Sequence, residues 1–219
     1  MGRHANVFVE GCSVHVIQKG LNGLTVFRRD ADLEVFLSTV RLASMENDVP
    51  VHGFVCMNTH YHLIVSPPAG GRLPRMMKQL DGRYARYFNR TYPRTGTLWN
   101  GRYRRFLIDQ ERYWLTCLRY IEQNPVKAGI VSSVEGYRWS SYSAHAFGNG
   151  PEWLTYHPVY QALGSTPERR RAAYRGLCGT PLTESESVLV EESLSSALDR
   201  SPRISTVAAT RVEAIAAVG

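Results

Sequence analysis

The triplet His60-Tyr61-His62 lies at the start of a predicted strand, a short apolar run over residues 61–66. Side chains at i and i+2 of a strand project from one face, so these two imidazoles are placed to share one cation. An HxH triplet in an arbitrary strand is as readily a solvated or hydrogen-bonded pair, so a metal site requires a third donor. The candidate lies in Arg119-Tyr-Ile-Glu-Gln-Asn-Pro125. Tyr120 and Asn124 are four residues apart and share a helix face if the last turn stays helical up to the proline, which would project a phenol hydroxyl and an amide oxygen together. On spacing alone, a helical tyrosine followed by Asn-Pro is also how an ordinary helix packs and ends. His15, His52, His145 and His157 read as structural.

The elements that must position these groups follow from patterning. Residues 13–18 are short, β-branched and bounded by glycine on both sides, which predicts a strand. Leu33, Phe36, Leu37 and Val40 recur at helical spacing behind Asp30 or Asp32 as the cap. The runs 51–57 and 61–66 flank Asn58-Thr59-His60 and predict an antiparallel hairpin with a three-residue loop. Residues 73–91 predict a helix with Pro74 in its first turn; Met76, Met77, Leu80, Tyr84, Tyr87 and Phe88 fall on one arc and Arg75, Lys78, Arg83, Arg86 and Arg90 on the other. Residues 102–108 read as a fourth strand, and Asp109 as the cap of a third helix that should stop near Asn124, because the residue before a proline is pushed out of the α region. Strand, helix, strand, strand, helix, strand, helix is the order of an α+β, ferredoxin-like or RRM-like antiparallel sheet with packed helices. A catalytic domain over 1–131, a C-terminal helical extension over 132–182 with a helix from Thr166, and a weakly ordered tail over 183–219 complete the expected organisation.

The 219 residues allow one generous domain plus a tail, and 43% hydrophobic with 21% charged residues is a folded composition. No run approaches the roughly 18 apolar residues of a membrane span, and the amino-terminal residues lack the apolar centre of a secretory signal. Four cysteines (Cys12, Cys56, Cys117, Cys178) without a CxxC pair read as reduced thiols, and the expected location is the cytoplasm. The charge is concentrated. Between Arg72 and Arg105 stand ten basic residues against Asp81 alone, a net +9 in a chain whose total is +7. Interleaved aromatics (Tyr84, Tyr87, Phe88, Tyr92, Trp99) suit a phosphate backbone with stacked bases, although the apolar arc claims most of them for the core. The candidate DNA contacts are Arg75, Lys78, Arg83, Arg86, Arg90, Arg94, Arg102, Arg104 and Arg105.

Five stretches in order, Met57-Asn-Thr-His-Tyr-His-Leu-Ile-Val65, Tyr84-Ala-Arg-Tyr-Phe-Asn-Arg90, Arg94-Thr-Gly-Thr-Leu-Trp-Asn-Gly-Arg-Tyr103, Arg119-Tyr-Ile-Glu-Gln-Asn-Pro-Val-Lys-Ala-Gly129 and Trp139-Ser-Ser-Tyr142, strongly resemble the REP-associated tyrosine transposases, bacterial single-tyrosine members of the HUH endonuclease superfamily. The resemblance runs from about residue 14 to 177. It implies an HUH core, single-stranded or hairpin DNA as partner, and a divalent metal, Mg²⁺ or Mn²⁺. His60 and His62 match the HUH histidines, Tyr120 the nucleophile, and Asn124 the polar residue that completes the metal site. Three departures stand out: Tyr61 where an aliphatic residue is usual, Thr59 for asparagine, and Lys19-Gly20 for Arg-Gly. The end of the chain, after about residue 187, departs from the family.

A free tyrosine with a pKa near 10 is only about 0.1% phenolate at neutral pH, which is why a Lewis acid on the phosphate is wanted. The implied reaction is metal-dependent cleavage and rejoining of single-stranded DNA through a 5′-phosphotyrosine, conserving the bond energy without ATP. The alternative is a single-stranded nucleic-acid-binding module that has lost cleavage. Monomer and homodimer are equally compatible with the sequence.

Overall fold

The computed structural model describes residues 12–68, 71–108 and 110–196. Four strands, β1 (Ser13–Lys19), β2 (Val51–Met57), β3 (His60–Val65) and β4 (Arg104–Ile108), form one antiparallel sheet in the order β2-β3-β1-β4. Helices α1 (Asp30–Asn47) and α2 (Arg72–Thr91) cover one face, and α3 (Glu111–Lys127) packs against the other. Four further helices follow: α4 (Tyr142–Phe147), α5 (Pro158–Gln161), α6 (Pro167–Cys178) and α7 (Glu184–Ser196). This is the expected α+β sheet with a helical extension.

Strand alternation sorts the side chains between two cores. Val14, Val16, Tyr61, Leu63 and Val65 join Phe36 of α1 and Met76, Leu80 and Tyr84 of α2. The Phe36 ring lies 4.6 Å from that of Tyr61 in a tilted contact and 5.2 Å from that of Tyr84 in an edge contact, each of the three fully buried and each contributing on the order of 2–3 kcal/mol of apolar transfer. On the opposite face Val55, Ile64 and Ile108 meet Trp114, Leu118 and Ile121 of α3. Gly53 of β2 admits this helix: a Cβ there would lie 2.6 Å from Leu118 Cδ1.

Several boundaries differ from the sequence reading, for identifiable reasons. The hairpin loop is two residues, Asn58-Thr59, because His60 already pairs with Met57 in the ladder. β1 runs one residue further, to Lys19, which pairs with His60, and β4 begins at Arg104 rather than at residue 102. α3 does not stop before Pro125 but passes through it to Lys127. The ring removes one backbone donor, yet Ala128 N–H still reaches Asn124 O at 2.9 Å and Ile130 N–H reaches Pro125 O at 2.9 Å, while fully buried Ile121 pins the turn before it. The cap expected at Asp109 falls outside the described residues; Gln110 holds the N-cap position, with no side-chain bond. Asp32, not Asp30, braces the start of α1, accepting from Arg28 N–H at 2.9 Å and Arg29 N–H at 3.2 Å.

The expected weakly ordered tail over 183–219 meets a helix, α7, over its described part. Val190 of α7 is fully buried in the α3-side core, and Tyr113 donates to Ser193 at 2.9 Å. Residues 197–219 lie outside the described set. The extension is tied to α3 by a buried polar knot in which Glu122 accepts from Ser141 (2.5 Å), Tyr174 (2.5 Å) and His145 Nδ1 (2.9 Å). All four cysteines are unpaired thiols. Among the described residues no helix is long and apolar enough to cross a membrane.

Candidate active site

His60 and His62 point from β3 toward α3, on the face opposite Tyr61. Their rings are 5.2 Å apart, and the His62 ring meets that of Tyr120 edge-on at 6.5 Å. Strand period places the imidazoles together, and the packing of α3 across the sheet brings the phenol to them. Asn124 lies one turn on. Its Nδ2 donates to Tyr120 O at 2.9 Å, and since a carbonyl oxygen can only accept, this bond orients the amide with Oδ1 free. Among the described residues none hydrogen-bonds to Nε2 of His60, Nε2 of His62, the Tyr120 hydroxyl or Oδ1 of Asn124. Their other polar atoms are engaged: His60 Nδ1 lies 3.1 Å from the Thr59 hydroxyl, and His62 Nδ1 lies 2.7 Å from His15 Nε2.

Electrostatics keep the pair ready to ligate. Burial, assisted by the Lys19 charge, lowers His60 to about 4, and burial with the neighbouring His15, His60 and Lys19 holds His62 well below the usual imidazole range. Both rings are therefore neutral at pH 7, with a lone pair each and no proton to expel. Two imidazole nitrogens and one amide oxygen fit a small divalent cation that keeps open positions for water and phosphate oxygens. Among the described residues no cluster of three or more His, Cys, Asp or Glu side chains is arranged to hold a metal, so a cation at the histidine pair would need a donor of another type, such as the Asn124 amide. Tyr120 is pushed up to about 12, by burial first and then by Glu191 and Cys117. A phenol raised this far is almost wholly protonated at neutral pH and is a weak nucleophile by itself.

The rival tyrosines are committed elsewhere. Tyr113 donates to Ser193, Tyr61 to Asp81 Oδ1 (2.7 Å), Tyr84 to Val26 O (2.6 Å), and Tyr87 and Tyr92 to Asp32 (2.8 and 2.6 Å). The departure at Tyr61 thus has a structural reason: with Gln18, it holds the one acid of the basic segment against the core. Trp99 donates from Nε1 to Asp81 O at 3.0 Å and is buried, so neither Tyr92 nor Trp99 is a free stacking platform.

The cations divide between two faces. Arg75, Lys78, Arg86 and Arg90 are exposed on α2, behind the sheet from the histidines. Arg83 is occupied by Glu46 (2.8 and 3.0 Å), and Arg94 donates to Thr97 O (2.8 Å). β4 links the faces, because alternation sends Arg104 to the histidine side, level with Ile17 and His62, and Arg105 to the other; exposed Arg102 precedes them. Three groups were missed. Lys19 pairs with His60, Lys127 lies 5.5 Å from the Tyr120 ring centre and is ion-paired to Glu191, and His15 touches His62 instead of serving only the core. Lys127 was recoverable from the sequence as a cation seven residues after Tyr120; His15 was not, since its contact depends on strand order. Tyr120 also borders a cavity of about 570 Å³ lined by Gln123, Lys127, Val134, Tyr142, Arg175 and Leu182 among others.

With this geometry in view, comparison with known proteins is decisive at one point: residues 8–124 match the family described as "Transposase IS200 like". The chain belongs to the IS200-like transposase family. It is a transposase by class, and DNA transposition is its activity. A solved REP-associated tyrosine transposase bound to a REP hairpin is similar over 72% of this chain and 93% of that one, with 16% identity and a TM-score of 0.54. A putative transposase from Deinococcus radiodurans is 20% identical over 56% of this chain and 97% of its own, with a TM-score of 0.40. A tRNA(His) guanylyltransferase from Saccharomyces cerevisiae covers 83% of this transposase and 84% of its own chain at 10% identity and a TM-score of 0.45. No curated protein shows a significant match.

Proposed function

We propose that this transposase cuts and rejoins single-stranded DNA through a covalent link to Tyr120, with His60, His62 and Asn124 holding a divalent cation, Mg²⁺ or Mn²⁺. The observation that supports it is that the His60 and His62 rings, 5.2 Å apart, meet the Tyr120 ring on one side of the sheet, with Asn124 one turn further along α3. The bound cation would draw charge from a non-bridging phosphate oxygen and stabilise the pentavalent transition state. Tyr120 Oη attacks phosphorus, the P–O3′ bond breaks, and the phenol proton is balanced by protonation of the departing 3′-oxygen. The products are a 5′-phosphotyrosine and a free 3′-OH. Attack on that link by another 3′-OH reverses the chemistry and releases Tyr120.

Lys19, paired with His60 across the strands, Arg104, level with His62, and Lys127, 5.5 Å from the Tyr120 ring centre, supply phosphate contacts there; Arg104 belongs to the set expected from the sequence. Arg102 and Arg105 carry the strand around the β4 edge, and Arg75, Lys78, Arg86 and Arg90 receive duplex phosphates behind the sheet, with Arg83 and Arg94 contributing if released from their internal partners. Such a path suits a substrate with both an unpaired strand and a stem. The solved REP-associated relative is bound to a hairpin, which favours hairpin-forming repeats as the substrate of this chain too. Incubation with an end-labelled single-stranded hairpin and Mn²⁺ or Mg²⁺ should give a protein–DNA adduct that survives SDS. Binding without any adduct would instead make the chain a nucleic-acid-binding module that has lost cleavage.

A further inference from the structure

We infer that His15 is a positioning residue for His62: it accepts a hydrogen bond from Nδ1–H of His62 and so holds that ring in the orientation and tautomer that present an Nε2 lone pair to the cation site. The inference rests on the reading of His60 and His62 as cation ligands and adds to it a residue outside the ligand set.

The two rings are diagonal neighbours on adjacent strands. His62 pairs with Ile17 and His15 pairs with Ile64, so both imidazoles project from the same face of the sheet. His15 is 1% and His62 2% exposed, their ring centres are 5.0 Å apart at a 31° tilt, and the Nε2–Nδ1 distance is 2.7 Å. Only one proton fits on that line, because each neutral imidazole has one N–H and one lone pair. If His15 donates, His62 must carry its proton on Nε2, aimed at the site, and cannot ligate. If His62 donates, its Nε2 is bare. Cation binding therefore requires the second arrangement, and His15 Nε2 is the only acceptor among the described residues for the proton that His62 must keep on Nδ1. Phe106 packs edge-on against the His15 ring at 6.0 Å and limits its rotation. A hydrogen bond on the far nitrogen is how metal-binding imidazoles are commonly oriented, and losing such a partner typically costs 10–100-fold in metal affinity.

The test uses the full chain without DNA, reading Mn²⁺ affinity from the free-ion EPR signal, with circular dichroism as a folding control. His15→Phe keeps a ring but has no acceptor; His15→Gln places an amide oxygen the same number of bonds from Cβ as Nε2. The expected result is a 10–100-fold rise in Kd for His15→Phe and a value within about threefold of wild type for His15→Gln. His62→Ala should abolish the site. Equal affinity of wild type and His15→Phe, alongside a loss in His62→Ala, overturns the role of His15 while leaving the cation site standing. Equal affinity of wild type and His62→Ala removes the site and the inference together. Should His15→Phe fail to fold, long-range ¹H–¹⁵N spectra of the wild type with Mg²⁺ decide: a proton on His62 Nδ1 and none on His15 Nε2 is expected, and the reverse overturns the proposal.

Discussion

Lowering the pH should unfold this protein well before its carboxylates are neutralised, because it buries neutral histidines. Burial takes His15 to about 3, His52 to about 4, and His62 well below the ordinary value of 6.5. In each case the unfolded chain binds the proton first, so stability is complete above pH 6.5 and is lost as the pH falls toward the folded-state values. Between pH 6.5 and 4.5 His15, His52 and His60, the last also taken to about 4 by burial and Lys19, each lose about 2 kcal/mol, about 6 kcal/mol together, and His62 adds to this in the same direction. Asp81 opposes this. Burial raises it to about 6 against the hydrogen bonds from Tyr61 and Gln18, so it returns about 2 kcal/mol over the same interval. The net loss of about 4 kcal/mol, to which His62 adds, approaches the whole stability of an ordinary domain. Urea unfolding at half-unit steps from pH 8 to 4.5 should show stability flat above pH 7 and falling near pH 5 with a slope equivalent to about three protons taken up on unfolding, four by His15, His52, His60 and His62 less the one that Asp81 releases. His52 lies away from the proposed site, bonded through Nδ1 to Thr155 O at 2.7 Å, and His52→Gln should reduce the slope by about one proton. A slope below one proton near pH 5 would mean that these rings are protonated in the native protein, and the account of neutral, ligation-ready imidazoles would fall with it.

Tyr120→Phe retains the ring that packs on His62 and removes the nucleophilic oxygen; it should bind hairpin DNA with unchanged affinity and form no SDS-resistant adduct, and an adduct from this variant would reassign the nucleophile. Converting Arg86 and Arg90 to Gln should weaken DNA binding and flatten the dependence of log K on log salt by about one to two units, whereas Arg104→Gln should lower the cleavage rate more than the affinity; identical effects of the two changes would contradict the two-face division of cations. Glu122→Ala leaves Ser141, His145 and Tyr174 without their shared acceptor and should cost about 3–5 kcal/mol, visible as a drop in the thermal midpoint with Glu122→Gln milder. Asp81→Asn removes the charge that burial penalises, so its stability relative to wild type should be greater at pH 8 than at pH 4, as read from paired thermal melts.

How much of this was legible in the chain follows from the range of the interactions involved. The side-by-side placement of His60 and His62, and of Tyr120 and Asn124, needs only the periods 2 and 3.6, which are set by backbone geometry within a few residues. The order of strands and helices likewise followed from patterning, and so did the split of α2 into an apolar and a cationic face. Local rules failed where packing outweighed them. Pro125 should end a helix, but the bonds flanking it survive and Ile121 is buried, so α3 continues and keeps Asn124 within helical reach of Tyr120. The acidic, serine-rich stretch after residue 183 reads as weakly ordered until Val190 finds the core beside α3.

Non-local contacts were decided by tertiary structure alone. The β2-β3-β1-β4 order sets His15 against His62 across 47 residues of chain, and no spacing rule could anticipate that pair. The same sheet puts α2 behind the histidines, so a single basic segment in sequence becomes two surfaces in space joined at the β4 edge. It also spends Tyr92 and Trp99 on Asp32 and Asp81. Residue types and short spacings determined which chemistry was available; which atoms remain unengaged to perform it depends on hydrogen bonds closed between distant segments, because a donor or acceptor is free only when the whole fold has left it so.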